Sequence, residues 1–142
     1  MNSGIRNSRW RRRAATIVET AVMAPLILAG TFGIMEVGYV FMARQTVVLS
    51  AREGARAGAL PGATSADAQA RVDSTMQGLG LSGYSTTINM GTGADPTVTV
   101  TVSIPFNRCS ITGNFFGGGS FSISSSASMR KEGTLTQQAA AE

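Results

Sequence analysis

The sequence predicts an α+β protein: a long N-terminal helix that includes a transmembrane segment, then a small domain with one short helix and three or more antiparallel strands. Three observations predict it. From Thr20 to Ala43 the chain reads TAVMAPLILAGTFGIMEVGYVFMA, with Glu36 its one charged residue. As a helix this run is ~36 Å long, enough to cross a hydrocarbon core of ~30 Å. The segment after Pro61-Gly62 opens with Thr64 and, three residues on, Asp67, the spacing of a capping box. Further on, TVTVTVSI from Thr97 to Ile104 alternates Val or Ile with Thr or Ser, the period of a strand with one apolar face.

The first element begins with charge. The chain has twelve basic and eight acidic residues, a formal charge of +4. Arg6, Arg9, Arg11, Arg12 and Arg13 all precede Glu19, the first acid, and without them seven bases face eight acids. A body so nearly neutral is not built to neutralise phosphates, which excludes nucleic acid as a partner. A basic leader before an apolar run is a topology signal, placing the N-terminus in the cytoplasm and the rest outside. Residues 1–14 therefore read as an unstructured basic leader and residues 15–60 as the long helix, with the span at about 20–43 and membrane lipid as its surroundings. A cleaved secretory signal shares the basic start, but its apolar core is usually ~7–15 residues. A buried helix of a soluble protein would leave the arginines unexplained.

Pro25 lies inside the span, where neighbouring helices can absorb its lost hydrogen bond, and a kink is expected there. Beyond the span, Val47, Ala51, Ala55 and Ala59 recur every four residues, so the helix should continue to Pro61-Gly62. The second helix carries Ala68, Val72, Met76 and Leu79 as an apolar stripe and should end at Gly78-Leu-Gly80. Strands are expected over Tyr84 to Met90, Thr97 to Ile104 and Phe121 to Met129. A hairpin loop joins the first two at residues 91–96, and a glycine-rich connection at residues 113–119 precedes the third. Residues 61–131 make up the outer α+β domain and 132–142 a polar tail.

Catalytic chemistry has little to draw on. The chain has no histidine, one lysine and one cysteine, which removes the commonest general base, the common zinc sets and any intramolecular disulfide. Gly117-Gly-Gly119 lacks the Lys-Ser/Thr of a phosphate loop. Neither an enzyme nor a cofactor or metal site is expected, and Cys109 reads as a small buried hydrophobe.

The informative residues sit in the apolar segment. Glu19 lies deep enough that facing lipid would cost about 2–3 kcal/mol without a partner or snorkelling. Glu36, ~25 Å further along a helix, is placed to reach the opposite interface. Ala29-x-x-x-Gly33 and Gly54-x-x-x-Gly58 are spaced to let backbones approach closely, which makes them candidate helix-packing sites alongside Pro25.

From Arg11 to Ala59 these blocks occur in one order: the basic leader, the Ala-rich junction, Val18-Glu19, Ala24-Pro25, Gly33-Ile-Met-Glu36-Val-Gly38 and Ala51-Arg-Glu-Gly-Ala-Arg56. Together they resemble the TadE-like minor pilins, or pseudopilins, of tight-adherence (Flp-type) pilus systems, over about a third of the chain. The resemblance implies a pilin-like fold, insertion in the inner membrane with the C-terminal domain periplasmic or extracellular, and a structural role as a minor subunit or initiator of a surface filament. It implies a prepilin peptidase cutting between Ala14 and Ala15, although that class of peptidase favours Gly before the cut. It implies that Glu19 pairs with the N-terminal amine of a neighbouring pilin-like subunit, and that the partners are such subunits and the pilus assembly machinery. A membrane-tethered binding domain that never polymerises is the alternative.

Overall fold

The computed structural model describes residues 3–93, 95–111 and 121–132, with the backbone alone at residues 3–9, 11 and 12. Its elements run α1 (Ser3–Ala59), α2 (Ser65–Gln77), β1 (Ser85–Asn89), β2 (Thr97–Pro105), a 3₁₀ turn (Phe106–Arg108) and β3 (Ser122–Arg130). The chain divides into two compact units, Met1–Val37 and Gly38–Glu142. The fold is α+β.

In the first unit the chain is α1 alone. The helix starts at Ser3, twelve residues before the expected Ala15, so the leader is helical and not unstructured. Arginine is a good helix former, and extending a helix avoids the cost of nucleating one. Pro25 lies inside α1, which continues through it. Ile17, Val18, Val22, Leu26, Ile27 and Phe32 are all exposed, an arrangement suited to an apolar solvent and costly in water.

In the second unit α1 supplies one wall of a core. Ala43, Val47, Ala51 and Ala55 are fully buried, so the four-residue spacing read from the sequence is the buried face. The helix ends at Ala59, just before the Pro61-Gly62 turn. At α2 the Thr64 hydroxyl accepts from the Asp67 amide, and the Asp67 carboxylate accepts from the Thr64 amide at 2.8 Å, closing the expected capping box. The buried stripe is Ala68, Val72 and Met76; Leu79 packs partly buried, while Leu81 beyond the helix is buried at 3 % exposure.

The three strands form one antiparallel sheet in the order β1-β2-β3, each within a residue or so of its expected bounds. Val98, Val100, Val102 and Ile104 of β2 are fully buried and face the helices' core residues. The opposite face is hydroxylic. Ser85, Ser103 and Ser124 share one cross-strand row, Thr87, Thr101 and Ser126 the next, and Thr99 lies between Asn89 and Ser128. Thr99 and Ser128 hydroxyls are 2.8 Å apart, and Thr101 donates to Ser126 at 3.0 Å. In the β1–β2 hairpin Gly91 has φ +68°, and a Cβ there would lie 2.6 Å from the Asp95 carbonyl, so glycine is required. The 3₁₀ turn has no counterpart among the expected elements. It brings Phe106 to Phe121 with ring centroids 4.6 Å apart and buries Cys109, whose thiol donates to the Phe106 carbonyl at 3.3 Å. The glycine-rich connection at 113–119 and the tail from 133 lie outside the described residues.

Candidate functional site

The residues singled out in the sequence fall on α1, in two settings. In the first unit, Glu19 is exposed among Ile17, Val18, Val22 and Met23, also exposed. A carboxylate in an apolar surface is costly in lipid unless it snorkels or finds a partner. Ala14 and Ala15 are both exposed helical residues, five and four positions before it. Thr20 and Thr31 turn their hydroxyls back onto the carbonyls of Thr16 and Ile27, both at 2.9 Å, which hides those hydroxyls from an apolar solvent.

Pro25 and Ala29 are exposed, and a Cβ added at Gly33 would meet nothing within 4 Å. Their small size therefore leaves open backbone surface on this unit. Glu36 differs from Glu19: it retains only 7 % exposure, enclosed where the sequence reading had it reaching toward the interface.

In the second unit the glycines of the other pair have partners within the chain. A Cβ at Gly54 would lie 2.6 Å from Val72 Cγ2 on α2, closer than side chains tolerate, and 3.3 Å from Val100 Cγ1 on β2. At Gly58 it would lie 3.0 Å from Val98 Cγ1 and 3.4 Å from Ala68 Cβ. The Gly54-x-x-x-Gly58 spacing thus packs α1 against α2 and the sheet of its own domain.

Charge on the outer face of this part of α1 centres on Glu53, which accepts from Arg56 at 3.2 Å and from Arg71 of α2 at 3.1 Å. Hydrogen bonds from Arg71, then Arg56, hold its carboxyl below the usual glutamate range. The Arg56 partner follows from helical spacing in the sequence. Arg71 does not, since it lies on another helix. Asp73 likewise accepts from Tyr84 at 2.7 Å and from Gln69 at 2.6 Å. Burial first, and the Asp73 carboxylate second, push the Tyr84 phenol up to about 12. Among the described residues no group of three or more His, Cys, Asp or Glu is placed to hold a metal.

Residues 14–56 match the family model for TadE-like proteins. Over this segment the chain is similar to TadE-like proteins. The TadE-like segment begins at Ala14, includes Glu19, Glu36 and Gly54, and ends at Arg56, before the sheet starts. It associates the chain in general terms with the tight-adherence pilus machinery, and the one long apolar helix within it fits a single-pass membrane protein. No characterised protein and no solved structure matches the chain.

Proposed function

We propose that this chain is a non-catalytic assembly subunit, a TadE-like minor pilin or pseudopilin inserted with its N-terminus in the cytoplasm and its sheet domain outside. In this reading a prepilin peptidase removes residues 1–14. Glu19 then meets the new N-terminal amine of a neighbouring subunit, and the exposed apolar flank of α1 moves from lipid into contact with other helices. One observation carries the reading: a carboxylate exposed within an apolar helical surface, inside the segment that matches the TadE-like family. Both the acid and the apolar flank need partners that another subunit supplies, since a buried carboxylate is tolerated only when paired.

A second reading, a tethered domain that stays in the membrane uncut, is favoured by Ala14, which stands where the peptidase class prefers Gly. Intact mass and N-terminal sequencing of protein from native membranes and from sheared surface material decide between them. A chain beginning at Ala15, with uncut protein accumulating when Ala14 is replaced by a bulky residue, supports the assembly subunit. A chain beginning at Met1 or Asn2 supports the tethered domain.

A further inference from the structure

We propose that the leader is a binding site for anionic phospholipid headgroups, built as the first turns of α1 and joined rigidly to the apolar segment. The five arginines from Arg6 to Arg13 have no acid among or before them, and Glu19 is the first acidic residue of the chain. They are carried on helical backbone from Ser3 onward, continuous with the apolar stretch that opens at Ala14. Trp10, between Arg9 and Arg11, is 71 % exposed, and Arg13 is exposed beside it. An indole one turn from the edge of an apolar segment sits at headgroup depth, where tryptophan is enriched.

Charge complementarity selects the occupant. Cytoplasmic leaflets carry anionic lipids, and a cluster of four to eight basic residues beside a membrane helix is the size that binds them, at roughly five-fold in partitioning per residue. An unstructured leader would hold those charges at variable distance from the surface. A helical one fixes them within about two turns of it. The inference deepens the proposed function, because removing residues 1–14 would leave seven basic against eight acidic residues and so end the headgroup contact, with the span left as the membrane anchor.

Trp10 is the chain's one tryptophan and reports on the leader directly. The uncut full-length chain, verified by intact mass, is reconstituted into vesicles of phosphatidylcholine alone and of phosphatidylcholine with about one-third phosphatidylglycerol. The expected result is a blue-shifted Trp10 emission and reduced acrylamide quenching in the anionic vesicles. Salt near 1 M, where the Debye length is ~3 Å, should reverse both. The combined Arg6→Gln, Arg9→Gln, Arg11→Gln, Arg12→Gln and Arg13→Gln variant should show no difference between the two vesicles. Emission that is the same in both for the native chain, or a difference that survives in the five-glutamine variant, overturns the proposal. Carbonate-resistant insertion is scored on the same samples. A chain that inserts in both vesicles and shows the same Trp10 emission in each therefore overturns the headgroup site and leaves the span, and the processing tested by N-terminal sequencing, untouched.

Discussion

At the scale of single residues, Gly54 and Gly38 make opposite predictions from the same substitution. Gly54→Ala gains up to ~1 kcal/mol of helix propensity but drives a methyl to 2.6 Å from Val72, and overpacking of that kind costs ~1–3 kcal/mol. Net destabilisation is expected, and Gly54→Leu should abolish the folded domain. Gly38→Ala, with nothing within 4 Å, should be neutral or slightly stabilising. Denaturant unfolding of the full chain in micelles, followed by circular dichroism, checks all three. Tyr84 supplies a pH prediction. Its phenol is raised in the folded state from an ordinary 10.0 to about 12, so its contribution to stability is complete below about pH 10 and is lost as pH climbs toward 12. A Tyr39→Phe variant leaves Tyr84 as the one tyrosine, and its ultraviolet titration should be delayed accordingly. Glu53 runs the other way. Its carboxyl is lowered by Arg71 and Arg56, so its contribution is present at neutral pH and lost as pH falls through the acidic range.

At the scale of elements, α2 is the one whose ends were most legible. Thr64 and Asp67 announced its start from three-residue spacing, and both reciprocal hydrogen bonds of the capping box form. Thr64→Ala should cost about 1 kcal/mol and fray the first turn, read as lower thermal stability and faster amide exchange at Asp67 and Ala68. The strands were equally legible, because β2 alternates without a break and its four apolar residues are the four buried ones. What the sequence hid depended on contacts distant along the chain. Arg71 reaching Glu53, Asp73 holding Tyr84, and the Phe106–Phe121 pair have no periodicity to betray them. The leader differs for another reason: its polarity points to disorder, while helix continuity from the following segment sets its backbone from Ser3 onward.

At the scale of the whole molecule, residues 14–56 carry the family likeness and the candidate site together, while the sheet domain has a hydroxyl-covered face and a core made with small α1 residues. Glu19 stands out in the sequence as the first acid, at the head of an apolar run. The buried state of Glu36 was not legible, since its sequence surroundings resemble those of an interfacial residue. Glu19→Ala should leave the chain membrane-inserted and its domain folded, yet absent from sheared surface filaments; recovery of the variant in filaments at native levels would remove the carboxylate from assembly. The glycine pair has a mechanical consequence as well. Val72 packs over Gly54 and Val98 over Gly58, and sliding α1 by four residues, about 6 Å, would bring the side chain of Ser50 toward Val72. The helix is thus keyed against its domain like a shaft in a slotted hub. A pull along α1 is therefore expected to be resisted by the whole interface, read in force spectroscopy as a single rupture and not a series of small slips.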